Sequence, residues 1–479
     1  MIFLTGLKGI RIYSILFGFL MVALFVICSN FSMIIRENIL VLAIMTGILF
    51  VSLLMSEPMI VANVNRERKI HLVRTMILSG FLVCFLYYYA VSIGRGIDVS
   101  VKVVLPVIHK FEDFFNPLYG WEHFHFYAGD PGRGEEIRHL FIYFPATYLV
   151  FDIFSIFKRN AALAVYLSIF GLYFFFYSFS NLRTDRKTVS VQDSLICLFF
   201  SFPTMFVMTT GNVEGVVFLF LSLFIFFYQK EKKILSTFFL SWAIAMKLYP
   251  AVFLVLLISD RHYKEVLYAL GFIILLTLLP LLVYDGGFNG GIWNYYSRFM
   301  GNLARYNEIF ILKGIGIAWG NSLFHAIRIL LGPYWPEVSL LVRPWLVSAA
   351  FIFLLLSAYV IFIERIFWKK VTLLLVAMNT LTFVSADYKL LHLFIPLFLL
   401  VNYESEDRFD YGYLFLLSLL LIPKNYFELY NKPGFGIPFV LDPLIMILIA
   451  SLIIVSGLKN YGLSRKSLFG RAGKTLRDI

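Results

Sequence analysis

Apolar runs of about twenty residues alternate with short basic or polar breaks along nearly the whole chain. They cover 10–28, 39–62, 72–93, 235–259, 266–283, 344–363, 371–385, 390–401, 413–421 and 437–454, with a hairpin over 195–228. Twenty helical residues at 1.5 Å each match a hydrocarbon layer of about 30 Å. Lipid leaves no water to satisfy open backbone groups, so the pattern predicts helices. The expected fold is an all-α polytopic membrane protein of about twelve to fourteen membrane elements. No short-period repeat and no pair of matching halves is visible.

Four interruptions shape this reading. The run 235–259 is broken by Lys247-Leu248-Tyr249-Pro250, which predicts two short helices meeting. The hairpin over 195–228 carries Gly211-Asn212-Val213-Glu214 at its tip. After His139 the chain re-enters lipid and is broken by Lys158-Arg159-Asn160. Two full crossings there would put the following basic loop on the wrong side, so one element is expected to go only part-way. The stretch 314–331 holds Asn321, Ser322, His325 and Arg328 and is expected at the outer surface.

Composition sharpens the class. Of 479 residues, 60% are hydrophobic and only 15% charged, too few charges to cover a soluble surface of this size. The net charge of +12 is read as basic cytoplasmic loops. It does not indicate nucleic-acid binding, since no soluble domain gathers it. Lys8 and Arg11, the loop carrying Arg66, Arg68, Lys69 and Arg74, and the tail carrying Lys459, Arg465, Lys466, Arg471, Lys474 and Arg477 place both termini in the cytoplasm, most simply of a prokaryotic plasma membrane. Cys28, Cys84 and Cys197 sit singly in apolar runs, without disulfide or zinc spacing. Three regions follow: an N-terminal hairpin and basic loop over 1–71, a membrane core over 72–402 with outer loops at 94–139 and 284–343, and C-terminal helices with a basic tail over 403–479.

Polar residues beside lipid are costly, so they mark candidate chemistry. Asp98 stands just past the third run on the non-cytoplasmic face, placed to take a proton from an attacking hydroxyl or simply to cap a helix. Asp113, beside Glu112, is the alternative acid. Lys389 and His392 are three apart and share a helix face, where they suit a phosphate leaving group. Asn212 and Glu214 at the hairpin tip suit a polar substrate. Lys247 lies deep in an apolar run and needs a buried acid or a polar cavity. Arg305 in the second outer loop either binds phosphate or is loop charge. In the 99–111 stretch an amphipathic interfacial helix is expected, interrupted by Pro106, followed by the aromatic cluster Trp121, Phe124, Phe126 and Tyr127. No Walker loop, dinucleotide-binding glycine pattern or metal-ligand cluster appears in the sequence.

Asp98, Asn116-Pro117-Leu118-Tyr119, Phe141-Ile142-Tyr143-Phe144-Pro145, Gly211-Asn212 with Glu214, Ala245-Met246-Lys247-Leu248-Tyr249-Pro250, Asn321-Ser322-Leu323 and Tyr388-Lys389-Leu390 together resemble the motif order of glycosyltransferase family 87. The first outer loop is long, two extra helices precede it, and the tip lacks the family's Gln. The resemblance implies a GT-C-like bundle that moves a hexose, usually mannose, from a polyprenyl-phosphate donor with inversion and without a metal or other cofactor. The acceptor would be a lipid, a glycan or a protein, as in the building of cell-envelope glycolipids. Asp98 would be the general base. Lys389, His392, Lys247 and Arg305 would meet the donor phosphate, and Asn212, Glu214, Tyr143 and Tyr388 the substrate. A transporter or flippase of lipid-linked saccharides is the alternative reading of the same polytopic chain.

Overall fold

A computed structural model describes residues 65–95, 111–120, 143–184, 187–284, 296, 299–301, 303–313, 316, 320–331, 337–404, 409–424 and 438–475. Among these there are helices and no strand. In chain order they are α1 (Arg66–Arg95), α2 (Glu112–Gly120), α3 (Pro145–Ser155), α4 (Arg159–Leu182), α5 (Lys187–Phe200), α6 (Phe202–Thr210), α7 (Glu214–Gln229) and α8 (Lys233–Met246). A 3-10 turn (Tyr249–Phe253) leads to α9 (Leu254–Ser259) and α10 (Tyr263–Tyr284). A π-helical turn (Asn307–Leu312), α11 (Leu323–Leu331), α12 (Ser339–Phe362) and α13 (Phe367–Thr380) come next. A second 3-10 segment (Asp387–Leu393), α14 (Phe394–Val401), α15 (Phe409–Leu421) and α16 (Pro438–Thr475) follow. The N-terminal hairpin, Asp98, the 99–110 part of the expected amphipathic helix and the aromatic cluster at 121–127 lie outside the described residues.

Four helices among the described residues are long and apolar enough to cross a bilayer: α4, α10, α12 and the first part of α16. The pair α5 and α6, bent by 59° at Ser201, makes a fifth if counted as one span. The protein is therefore an all-α polytopic membrane protein. In α4 the buried residues Ala162, Tyr166, Phe170, Phe174, Ser178 and Leu182 recur every fourth position. Ile169, Leu172 and Phe176 point outward, so one stripe faces protein and the other faces lipid. The centre holds α13, α14 and α15. All of α13 is buried except Phe367 and Lys370, as expected of a helix apolar on every side.

The two helices between His139 and Arg183 differ in length. α3 has 11 residues, about 16 Å of rise and so roughly half the hydrocarbon thickness. α4, with 24 residues, is long and apolar enough to cross. The C-terminal helices join the same core as the N-terminal end of α1. Leu414, Leu417, Ile445, Ile449 and Ile453 pack in one cluster with Ile70, Val73 and Ile77. A buried ion pair, Lys69 Nζ to Asp410 Oδ2 at 2.9 Å, ties α1 to α15. Lys69 also donates to the carbonyls of Leu400 and Tyr403, so this buried cation is fully used.

The polar residues of the 314–331 stretch, expected at the outer surface of the membrane, are packed inside protein where they are described. Asn321, Ser322 and His325 are fully buried. Asn321 Nδ2 donates to Asp387 Oδ1 at 2.7 Å, and Ser322 Oγ to the Phe383 carbonyl at 2.7 Å. Phe324 packs against Trp345 and Phe383. The Asn321 and Ser322 side chains bond to neighbouring protein, a pairing that the sequence pattern does not reveal.

Candidate active site

Four chain breaks bring polar side chains together. The first is the turn between α6 and α7, where Gly211 adopts a left-handed conformation (φ 65°). A Cβ there would also stand 2.6 Å from Phe114 Cβ, so only glycine fits. Asn212 follows, and its Oδ1 accepts the Glu214 backbone N–H at 2.9 Å, satisfying a donor in the first turn of α7. The second is the end of α8, where Lys247 turns extended (φ −147°, ψ 132°) and Pro250 opens the 3-10 turn. The third is the 3-10 segment carrying Lys389 and His392. With three residues per turn, side chains three apart eclipse. The shared face expected of an α-helix is thus achieved by a different helix. The fourth is α2, which places Asp113.

Glu214 is the hub. It is fully buried and accepts from Lys247 Nζ at 2.7 Å, from His392 Nε2 at 2.9 Å and from the Tyr249 hydroxyl. Lys247 lies over the rings of Tyr388 (5.0 Å) and Tyr143 (5.6 Å). Lys389 lies 4.2 Å from the Tyr249 ring centroid, and its Nζ donates to the Val384 carbonyl at 3.3 Å. It is 6% exposed, and no carboxylate among the described residues comes within ion-pair distance of it. His392 Nδ1 is buried and has no hydrogen-bond partner among the described residues. On the other side of the tip, Asn212 Nδ2 donates to Asp113 Oδ2 at 2.7 Å.

Asp113, Asn212, Glu214, Lys247, Lys389, His392, Tyr143 and Tyr388 therefore form one connected cluster. Asp98 lies outside the described residues. Arg305 is exposed on the segment before the π-helical turn. Lys247 is held by Glu214, so its charge is already matched inside the protein. Tyr249 was not singled out by sequence reasoning, though it sits in a quoted motif. Its signal is the polar–apolar–polar order of Lys247-Leu248-Tyr249: both polar ends reach Glu214, while Leu248 is 64% exposed. Asp387, missed as well, anchors the 3-10 segment to Asn321. A cavity of about 480 Å³ lies elsewhere, at the far end of α7, lined by Tyr228, Glu231, Lys233, Asp260, His262 and Phe367. The cluster sits at the N-terminal end of α7, and Lys230, Lys232 and Lys233 sit at its other end.

Glu214→Gln is expected to destabilise the protein by about 3–5 kcal/mol, because it leaves Lys247 and His392 facing a neutral group in a buried site. A thermal scan in detergent should show a clearly lower Tm, and an unchanged Tm would contradict the hub role.

This cluster of acids, lysines and tyrosines lies inside a helical membrane protein. The chain belongs to glycosyltransferase family 87, whose family model matches residues 141–391, and it is a glycosyltransferase. The match spans Asn212, Glu214, Lys247, Lys389 and the start of the 3-10 segment, and it sets the transporter reading aside. No curated protein and no solved structure matches the chain.

Proposed function

We propose that the protein transfers a hexose, mannose being the first candidate, from a polyprenyl phosphate to a hydroxyl of a lipid, glycan or protein acceptor, with inversion. The observation that carries this reading is Lys389. A buried cation without a carboxylate partner is costly, and an incoming phosphate would match it. His392 Nδ1, also buried and without a hydrogen-bond partner among the described residues, stands on the same 3-10 segment. A lipid-linked donor is also the chemical reason for housing a sugar transferase in a bilayer.

The step balances as follows. The acceptor oxygen attacks the anomeric carbon as its proton passes to a carboxylate. The bond from that carbon to the phosphate oxygen breaks, its electron pair leaves with the phosphate, and Lys389 and His392 meet the growing negative charge. Asp113 is the acid the geometry favours as base, since Asn212 fixes it beside the Glu214 hub. Asp98 is the other candidate. Lys247 and Glu214 lend the site its polar character, and Tyr143 and Tyr388, over which Lys247 lies, offer aromatic faces to a sugar. The basic residues at the far end of α7 favour a non-cytoplasmic site under the positive-inside rule, as in cell-envelope glycolipid assembly.

A donor panel tests the reading. Purified protein should use a polyprenyl-phosphate hexose and ignore nucleotide sugars. Transfer from a nucleotide sugar alone would contradict it. EDTA is expected to leave the rate unchanged, because lysines, not a diphosphate-bound cation, meet the leaving group. A rate that falls with EDTA and returns with a divalent ion would contradict that assignment.

A further inference from the structure

Asn212 stands in the sequence where a substrate ligand is expected, yet all of its described polar contacts are to protein. Its Nδ2 donates to Asp113 and its Oδ1 accepts from the Glu214 backbone. Its carbonyl accepts from the buried Tyr166 hydroxyl, and the residue is 1% exposed. The amide orientation follows from the chemistry, since a backbone N–H only donates and an ionised carboxylate only accepts. One side chain thus spans the two halves of the cluster, the α2 acid on one side and the Glu214 hub with its cations on the other.

The neighbouring contacts serve the same end. Phe114, next to Asp113, packs against Gly211 at a distance only glycine permits. Its ring meets Phe151, Phe154 and Tyr166 at 5.1 to 6.0 Å. α2 is seated on the Gly211–Asn212 turn by an apolar contact and a polar one side by side. The apolar contact fixes where the helix lies. The Asn212 bond fixes how the carboxylate is turned.

Resting on the reading of Asp113 as base, we propose that Asn212 is a positioning residue. It holds the acid at a set angle to the phosphate-binding cations and does not bind sugar itself. An amide suits this role because it orients a carboxylate without exchanging a proton with it.

Asn212→Asp separates the possibilities. It keeps the acceptor for the Glu214 N–H, so α7 stays capped, and it replaces the donor to Asp113 with a like charge. Two readouts apply. Hydrogen exchange on the purified protein should quicken in residues 112–120 and stay unchanged in 214–229. With polyprenyl-phosphate mannose as donor, kcat should fall about 10- to 100-fold with little change in either KM, as expected for a misaimed group. The swap Asp113→Asn with Asn212→Asp restores a donor–acceptor pair of reversed sense. It should recover the slow exchange of 112–120 while remaining inactive.

Unchanged exchange in α2 overturns the bridge whatever the donor proves to be. A raised KM for acceptor at unchanged kcat overturns positioning in favour of substrate binding. Quickened exchange in Asn212→Asp, with a wild-type protein inert toward this donor, would leave the bridge standing and sink the donor assignment.

Discussion

Asp113→Asn is expected to lower kcat about 10²- to 10⁴-fold, the usual contribution of a positioned general base. The substitution keeps the size of the side chain and removes its ability to take a proton. KM for the lipid donor should change little, because Lys389 and His392 lie on a separate segment. Asp113 is part-exposed, as a base that must meet an incoming hydroxyl should be, and Lys247, Tyr143 and Tyr388 beside it are part-exposed too. Glu214 is excluded from that role by its three donors, Lys247, Tyr249 and His392. Asp98→Asn should be measured alongside. If Asp98→Asn is inert and Asp113→Asn is active, the base is Asp98 and the geometry of α2 has another purpose.

Lys389→Ala has the second-largest expected effect, a fall in kcat of about 10²- to 10³-fold, the range seen when a preorganised group aimed at developing charge is removed. Under the proposed mechanism its charge meets the phosphate, and no carboxylate among the described residues lies within ion-pair distance of it. Removing it also relieves a buried cation, so the variant should be no less stable than the wild type. This combination distinguishes Lys389 from Lys247. Lys247→Ala would leave Glu214 with only Tyr249 and His392, and should destabilise the protein. Equal loss of stability in both variants, with Lys389→Ala retaining full activity, would show that Lys389 is a snorkelling or packing lysine.

The architecture was largely legible because lipid imposes one rule on every crossing segment. The break at Lys247 could be read because a cation and a proline interrupt an apolar run. The partners of the polar residues were harder. Nothing in the local pattern pairs Glu214 with His392, 178 residues away, or Asn212 with Asp113, 99 residues away. The burial of Asn321 and Ser322 was hidden because local polarity does not show that Asp387 and the Phe383 carbonyl are their partners. The residue types of the site were visible through their cost in lipid, whereas the hub role of Glu214 arises only from tertiary packing.

The most direct test follows lipid phosphate and sugar stereochemistry in one reaction. Purified protein is incubated with a radiolabelled polyprenyl-phosphate hexose and membrane extract as acceptor source. Released polyprenyl phosphate is quantified, and the anomeric configuration of the product is read by NMR. The account predicts one lipid phosphate released per sugar transferred, an inverted anomeric centre, and neither product with Asp113→Asn. Transfer with retained configuration, or sugar transfer that releases no lipid phosphate, would contradict it.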